Sequence, residues 1–428
     1  MVRFIHTLSW WEKEMLENLD RVLAHRIITS VGSTGQPPEY GFQFFSVGLD
    51  EIVNIIDKEY LQFLIKDGGS SFKAIIGGYG SGKTHFLYTI RELAWNNNYA
   101  TSYVSLTPEE TPFHKLELVY RSIASNLQPP LKKEEILAGS ERGIESFIIR
   151  WFNTKEESYR ALGFEEDELS EVLEEYIKNN IKGYDSLSFT NAIRNSFLSL
   201  LHNDYEEFET ILAWLKGEYY NRSDHSKFGI LQKLDKTTAF QRLRSLGQWI
   251  RSIGFSGIII LFDEAEQTPS FSSHQINLHL SNLRELIDTC QSMSFQGFLI
   301  FYAIPDEDFL QQRGFVYEAL KQRLSTNFST FNPSGVKINL EGIFRDDPNQ
   351  LREHLFKVGT KLGHIYSIAY DTEFEPATLE NAIQLAVEKV SMFEPGYKRY
   401  FVQKIISVFH YLRSNPGAQI SAETLDEI

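Results

Sequence analysis

A glycine-rich segment at residues 77–84 constrains the fold of this chain more than any other part of its sequence. The segment reads Gly-Gly-Tyr-Gly-Ser-Gly-Lys-Thr, a complete phosphate loop of the form G-x-x-x-x-G-K-[ST]. An apolar run at residues 72–76 precedes it and indicates a buried strand, and apolar residues at helical spacing follow it. A strand, a glycine turn and a helix N-terminus together present backbone N–H groups to an anion. The segment therefore predicts binding of a nucleoside triphosphate.

The residue types in this loop each have a physical reason to be there. Glycines let the backbone approach phosphate oxygens because no Cβ stands in the way. Lys83 is placed to reach the β- and γ-phosphates, and the Thr84 hydroxyl is placed to ligate Mg²⁺. The residues predicted to contact the nucleotide are Gly78, Tyr79, Gly80, Ser81, Gly82, Lys83, Thr84 and His85.

A second motif, of two acidic residues, lies far downstream. Residues 257–262 are a glycine followed by five apolar residues, which is typical of a strand covered on both faces of a parallel sheet. Asp263 and Glu264 follow directly. At the end of such a strand, Asp263 can hold the Mg²⁺ shell, and Glu264 can polarise the attacking water as a general base. The alternative is a pair of acids that cap a following helix. Glu264 and Lys83 are predicted catalytic residues.

Two arginines are candidates for contacts with the γ-phosphate. Arg323 lies near the end of the helix before the last predicted strand, where it could act in trans on a neighbouring subunit. Arg399 lies near the start of a C-terminal helix and could lean over the triphosphate and move a lid. For both, an ordinary surface arginine is the alternative. The strand predicted at 295–303 offers Tyr302 or Asp306 as a polar sensor at its end.

Alternating strands and helices predict a parallel α/β sheet covered on both sides. We expect an N-terminal helical segment and linker at 1–66, a nucleotide-binding core at 67–345 and a helical domain at 346–428. Within these ranges the patterns predict further strands at 99–107 and 336–340, and helices at 8–30 and 113–127. Another helix is predicted through Leu64, with Ser46 or Asp50 available as its cap. Residues 129–235 are polar, helical in period and locally acidic. We interpret them as an insertion, because removing them brings the two motifs to the spacing that a compact sheet requires. The acidic run within them indicates a solvated helix face or a partner-docking surface.

Composition excludes several classes of protein. The sequence contains no run of eighteen apolar residues and its start does not resemble a signal peptide, so we expect no membrane span and a cytoplasmic location. Cys290 is the single cysteine, which excludes an internal disulfide framework and a cysteine-rich zinc site. A formal charge of −15 argues against a whole-surface affinity for nucleic acid, although it allows a local basic groove.

Taken together, these features resemble the AAA+ class of ATPases. The shared arrangement is a helix with Val47 and Gly48, the phosphate loop, the acidic pair, a sensor strand and an all-α lid with Gly-x-x-Arg at 396–399. Within that class the chain is similar to the ATP-binding proteins of bacterial BREX phage-defence loci, a family related to origin-recognition ATPases. The residues that carry the resemblance are 24–28, 35–38, 78–87, 263–266 and 303–306.

The resemblance implies ATP and Mg²⁺ as cofactors, with Val47 and Gly48 lining the adenine pocket. It also implies protein partners from the same defence operon, allows DNA as a further partner and allows a homo-oligomer. Ile304 stands where the family tends to have a threonine. This departure bears on the γ-phosphate sensor and keeps two hypotheses open: an ATP-hydrolysing switch that acts with DNA-processing partners, and a non-hydrolysing ATP-gated scaffold. A small-molecule or polynucleotide kinase is a third reading, and the acidic pair fits hydrolysis better.

Overall fold

A mostly parallel six-stranded sheet forms the centre of the computed structural model, which describes residues 19–265, 271–306, 315–342, 347–390 and 394–428. The strands are β1 Ser70–Ile76, β2 Ala100–Ser105, β3 Leu127–Gln128, β4 Ile258–Asp263, β5 Phe298–Ile304 and β6 Lys337–Asn339. Their order across the sheet is β3-β2-β4-β5-β1-β6. All neighbouring pairs are parallel except β2 and β3, which are antiparallel.

The central strands are buried on both faces, as their continuous apolar sequences predict. In β4, Ile258 and Ile260 pack into one hydrophobic cluster, whereas Ile259 and Leu261 pack into a second cluster on the opposite face. Every strand expected from the sequence is present within a few residues of its predicted ends. The short strand β3 was not predicted: Leu127 was expected to end a helix and instead pairs with Ser102.

Helices account for most of the remaining described chain. Two of the helical segments are 3-10 turns at Phe42–Phe45 and Ser226–Phe228, and one is a π-helix at Ile56–Leu64. The described α-helices are α1 Arg21–Thr34, α2 Asp50–Ile55, α3 Lys83–Asn96, α4 Leu116–Ser125, α5 Lys133–Ala138, α6 Ile144–Ala161, α7 Glu166–Asn180, α8 Leu187–Leu201, α9 Tyr205–Lys216, α10 Arg222–His225, α11 Ala239–Ser252, α12 Ser273–Gln291, α13 Phe315–Arg323, α14 Pro348–Tyr370, α15 Pro376–Lys389, α16 Tyr397–Ser414 and α17 Ala422–Glu427. Among the helices described here, none has both the length and the apolar character that crossing a bilayer requires.

The segment at 129–235 is helical, as its periodicity predicts, and it joins the core through contacts with helices α4 and α11 and strand β3. Phe147 of α6, Phe189 of α8 and Trp214 of α9 belong to the same buried cluster as Ile258 and Ile260 of β4. The helices of this segment therefore share one hydrophobic core with one face of the sheet. The bounds of this insertion, and those of the three predicted domains, stay predictions.

The first described helix, α1, packs with the helices near the C-terminus of the chain. Leu23, Ile27 and Val31 on one face of α1 share a buried cluster with the apolar faces of α14 to α17. Asp20 caps the start of α1 by accepting a 2.8 Å hydrogen bond from the Leu23 N–H, and Gly35 ends it in a left-handed conformation with φ 65°. The helix predicted to begin at residue 8 thus starts at 21 in the described chain, and residues 1–18 lie outside it.

One predicted helix cap is wrong. Ser46 or Asp50 was expected to cap the helix that leads into residues 56–64, yet the N-cap is Leu49 and no side chain caps it. The Ser46 hydroxyl is hydrogen-bonded to Nε2 of His85 instead. Ser46 lies three positions before the N-cap and Asp50 is already the first residue of the helix, so neither side chain stands where it could cap the helix.

Candidate nucleotide site

The phosphate loop connects β1 to α3 in a conformation suited to an anion. Gly80 and Gly82 both have left-handed backbones, with φ of 73° and 104°. Gly82 is the N-cap of α3 and no side chain caps that helix, so its first N–H groups are left for a ligand. A Cβ placed on Gly82 meets nothing within 4 Å, and Gly82 lines a cavity of about 260 Å³. The loop therefore surrounds a space that phosphate groups can enter.

Lys83 and Ser81 support the same conclusion from their side chains. Lys83 is buried, and its Nζ donates hydrogen bonds to the carbonyls of Gly77 at 2.8 Å and Gly78 at 3.3 Å. These bonds fix the cation over the base of the loop. The Ser81 Oγ is buried without a hydrogen-bond partner within the described chain. A buried orphan hydroxyl is unusual in a protein and fits a site built for a polar ligand.

The two sequence motifs meet in the structure. The Thr84 Oγ1 donates a 2.7 Å hydrogen bond to Oδ2 of Asp263, although the two residues are 179 positions apart. Tyr103 of β2 donates a 2.5 Å hydrogen bond to the same carboxylate oxygen. Asp263 is only 2% exposed. A hydroxyl and a carboxylate in direct contact beside a phosphate loop are the two protein ligands that Mg²⁺ needs when substrate phosphates supply others.

No group of three or more His, Cys, Asp or Glu side chains within the described ranges could hold a metal by itself. At phosphate loops, proteins bind Mg²⁺ through one or two ligands of their own together with phosphate oxygens and water, and Thr84 and Asp263 are two such ligands in contact. The residues present thus fit Mg²⁺ bound together with a nucleotide.

Glu264 lies in the same cavity and has a strained backbone. Its φ is 60°, in the left-handed region that non-glycine residues rarely occupy, and its N–H donates a 2.9 Å hydrogen bond to Oδ1 of Asp263. The Ser105 hydroxyl, at the end of β2, donates to Oε2 of Glu264. The first contact holds the Glu264 backbone and the second its carboxylate, and Glu264 lines the same cavity as Lys83 and Thr84.

Ser105 and Tyr103 were not predicted as site residues, although the sequence carried a signal for them. They are the polar residues at alternate positions along the end of a predicted strand, so their side chains share one face. In the structure Ser105 pairs in register with Asp263 across β2 and β4. A third missed residue is Glu341, whose Oε1 accepts a 2.8 Å hydrogen bond from the Gly78 N–H. It follows β6, and no pattern in the sequence singled it out.

A second cavity, of about 130 Å³, adjoins the first and is mostly apolar. Val47 lines it, together with Val31, Leu49, Leu355 and Val358, and its contact with adenine stays a prediction. Gly48 has a left-handed backbone with φ 75° and is not among the residues that line either cavity. The position beside the phosphate loop and the apolar walls suit a nucleobase.

His85 lines both the apolar cavity and the cavity at the phosphate loop. Its ring packs against Phe42 and Phe45, with centroid distances of 5.5 and 5.4 Å, and its Nε2 is hydrogen-bonded to Ser46. Desolvation, helped by the charge of Lys398, lowers the pKa of His85 to about 4. The imidazole is therefore neutral at physiological pH and contributes shape and a hydrogen bond to the pocket, not charge.

Helix α16 carries two cationic side chains, Lys398 and Arg399, to the cleft that the two adjoining cavities form. Arg399 lines both cavities, and its guanidinium lies over the ring of Tyr79, with 4.3 Å between Cζ and the ring centroid. Lys398 donates a 3.0 Å hydrogen bond to the Ser81 carbonyl. Desolvation lowers the pKa of Lys398 to about 8, against the opposing effect of the Glu341 carboxylate. The start of α16 is thus in direct contact with the tip of the phosphate loop.

The other predicted residues lie away from the cleft. Arg323 pairs with Asp288 of α12 and donates a 2.8 Å hydrogen bond to the Ala319 carbonyl, and it lines neither cavity. Its action in trans stays a prediction. Tyr302 is buried in the core, where its hydroxyl is 2.7 Å from Nε2 of His279, so it does not face the cleft. Asp306 is exposed and also lines neither cavity.

Comparison with known protein families identifies the family of this chain. The model of a family described as "BREX system ATP-binding protein BrxC/D" matches residues 21–427, which is nearly the whole chain. No curated protein and no solved structure matches the chain. The matched range begins at α1 and ends in α17, so it includes the sheet, the cleft and the cluster that joins the two ends of the chain.

Proposed function

Because the chain belongs to the BREX system ATP-binding protein BrxC/D family, we propose that it is a Mg²⁺-dependent ATPase of the AAA+ type. Membership indicates ATP binding in phage defence; hydrolysis is our proposal. One observation carries it: the 2.7 Å hydrogen bond between Thr84 and Asp263, which places a hydroxyl and a carboxylate beside Lys83 in a cavity that Glu264 also lines. Each of these groups has a defined task in phosphoryl transfer to water.

The chain would bind ATP along the two adjoining cavities. The base would occupy the apolar pocket with Val47 and Leu49, and the phosphates would lie against the N–H groups of the loop and the first turn of α3. Lys83 would contact the β- and γ-phosphates. Thr84 and Asp263 would hold Mg²⁺, which offsets negative charge on the phosphates.

Glu264 is the residue we assign to the chemical step. Its carboxylate would accept a proton from the water that attacks the γ-phosphate, or polarise that water. Ser105 and the backbone bond to Asp263 hold the carboxylate in place. Arg399 would stabilise negative charge on the terminal phosphate from the opposite wall of the cleft. Helices α14 to α17, packed with α1, would form the lid that moves when that charge changes.

In the cell, this switch would act at a cytoplasmic location with protein partners of its own defence operon. DNA would be reached through those partners or through a local basic surface, because the formal charge of −15 does not support broad electrostatic attraction to DNA. The acidic helix α7 within the predicted insertion at 129–235 is our candidate for contact with a partner protein.

Steady-state phosphate release by Glu264→Gln tests the proposal. The variant keeps the size of the side chain and loses the base, so we expect turnover to fall about a hundredfold or more while ATP still binds. Glu110→Gln, a change of the same kind at an exposed glutamate beyond β2, serves as the matched control. Phosphate release by Glu264→Gln at the wild-type rate would exclude the proposed mechanism.

A non-hydrolysing, ATP-gated scaffold is the second candidate, and one observation favours it. The strand β5 ends in Ile304, and Tyr302 on the same strand turns into the core toward His279. Among the described residues of β5, none lines either cavity, so this strand offers no polar contact to a γ-phosphate. Tight ATP binding by the wild-type chain with no phosphate release, even with its operon partners and DNA present, would support the scaffold.

A further inference from the structure

Tyr79, at the tip of the phosphate loop, is the main contact of the Arg399 guanidinium. The guanidinium lies over the Tyr79 ring at 4.3 Å from Cζ to the centroid, and its Nη1 donates a hydrogen bond to the Tyr79 hydroxyl. Tyr79 is 60% exposed, and the phosphate-loop motif accepts any residue at its position. The motif therefore does not explain why this position carries a large aromatic side chain. The stacking and the hydrogen bond with Arg399 do explain it.

The aliphatic part of the Arg399 side chain is closely packed as well, against Gly35 and Gly80. A Cβ placed on Gly35 would come within 2.2 Å of Arg399 Cγ, and a Cβ placed on Gly80 would come within 2.7 Å of the Gly396 Cα and lie in contact with Arg399 Cβ at 3.4 Å. Both glycines have left-handed backbones, so side chains are excluded there by conformation as well as by space. Gly35 and Gly80, which are far apart in the sequence, thus leave space for the aliphatic part of the Arg399 side chain. Tyr79 contacts the guanidinium at the end of that side chain.

Arg399 still has hydrogen-bonding capacity to offer. Its Nε is buried and has no hydrogen-bond partner within the part of the chain that the structure describes. The side chain lines the cavity that also contains Lys83, Thr84 and Asp263. A planar guanidinium with an unused donor beside a phosphate loop is well matched to a phosphate oxygen.

We propose that Tyr79 is a positioning residue that orients the Arg399 guanidinium toward the terminal phosphate of bound ATP. This inference rests on the proposed function, because it gives Arg399 a phosphate to contact. An arginine side chain loses rotamer freedom when it binds a ligand, and stacking on Tyr79 removes part of that freedom beforehand. Tyr79 therefore acts through Arg399 and favours ATP over ADP, which lacks the terminal phosphate.

Equilibrium binding of ATP and of ADP to the full chain tests this, with Mg²⁺ present. We expect Tyr79→Ala to lower the affinity for ATP about fivefold and to change that for ADP by less than about twofold. Tyr79→Phe keeps the ring under the guanidinium and should recover most of the ATP affinity. The double variant with Arg399→Ala should bind ATP no more weakly than Arg399→Ala alone. Tyr400→Ala, an exposed tyrosine on the same helix, is the matched control.

Three results would overturn the inference: equal losses for ATP and ADP, effects of Tyr79→Ala and Arg399→Ala that multiply in the double variant, or tighter ATP binding by Tyr79→Ala. The first would show a general role of Tyr79 in loop structure. Lys83→Ala separates this inference from the proposed function, since it should abolish binding of both nucleotides. Wild-type affinities in Lys83→Ala would overturn the proposed function itself.

Discussion

Thr84 and Asp263 lie 179 positions apart in the sequence and are joined by a 2.7 Å hydrogen bond between the threonine hydroxyl and the aspartate carboxylate. The sheet order explains the contact: β1 and β4 are separated only by β5, and all three are parallel, so their carboxyl ends lie at one edge. The residues after β1 and β4 therefore meet there.

The first prediction concerns Mg²⁺. Asp263→Asn keeps the shape of the side chain and removes its charge, so we expect Mg²⁺ to lose most of its effect on ATP binding. Affinity with Mg²⁺ should fall about tenfold or more, whereas affinity with a chelator should stay within about twofold of wild type. ATP titrations under the two conditions measure this, with Asp67→Asn, at an exposed aspartate, as the control. An undiminished Mg²⁺ effect in Asp263→Asn would remove Asp263 from the metal site.

The second prediction compares two glycines of similar backbone conformation. Gly82→Ala and Gly163→Ala both place a Cβ at positive φ, 104° and 95°, with no atom within 4 Å. Their cost in folding free energy should therefore be alike, at about 1 kcal/mol. Of the two glycines, only Gly82 lines the cavity of about 260 Å³ at the phosphate loop, so only Gly82→Ala should weaken ATP binding. Thermal unfolding and ATP titration of both variants give the comparison, and equal ATP affinities would contradict the assigned phosphate position.

A third prediction follows from the neutral His85. Its pKa is about 4 in the folded chain and near 6.5 in the unfolded chain, so the unfolded state binds more protons between these values. The free energy of unfolding should therefore fall as the pH drops from 6.5 to 4, with about 2.5 kcal/mol of the loss due to His85. Denaturant unfolding at several pH values should show a shallower decline for His85→Gln.

His274→Gln, at an exposed histidine, is the control for this measurement and should keep the wild-type decline. A decline in His85→Gln as steep as in the wild type would show that other groups account for the acid sensitivity.

The fourth prediction concerns Arg323. Its pair with Asp288 is partly exposed, at 29% and 42%, so the coupling energy between the two side chains should be about 0.5–1 kcal/mol in a double-mutant cycle of unfolding. An additional role in trans would make turnover per chain rise with protein concentration, and Arg323→Ala would remove that rise while Asp288→Ala would not. Turnover that is independent of protein concentration in the wild type would leave Arg323 with its structural role alone.

The sequence predicted the sheet and the positions of its two motifs at strand ends because both depend on local patterns. Buried strands such as β4 and β5 are continuous apolar runs, and the phosphate loop and acidic pair are short motifs that carry their own geometry. Strand β3 was missed because Leu127–Gln128 has two residues and exists only through its pairing with β2. A segment of that length has no periodicity to detect.

The residues around the chemical centre were harder to predict because they depend on which strands are neighbours. Tyr103 and Ser105 contact the acidic pair only because β2 lies beside β4. Glu341, which follows β6, accepts a hydrogen bond from Gly78, which follows β1, because these two strands are neighbours. The packing of α1 with the C-terminal helices was likewise beyond the sequence pattern, since an amphipathic face shows that a partner exists and not which one.

That packing of α1 restricts how a lid could move. Phe45 and Leu351 belong to the buried cluster of α1 and helices α14 to α17, whereas Ile56 and Leu340 belong to a cluster on the sheet. Residues 46–55, which the structure describes throughout, connect the two clusters along the chain. If helices α14 to α17 move as the lid that we propose, α1 would move with them, and Gly35 at its end would travel together with the Arg399 side chain that it contacts.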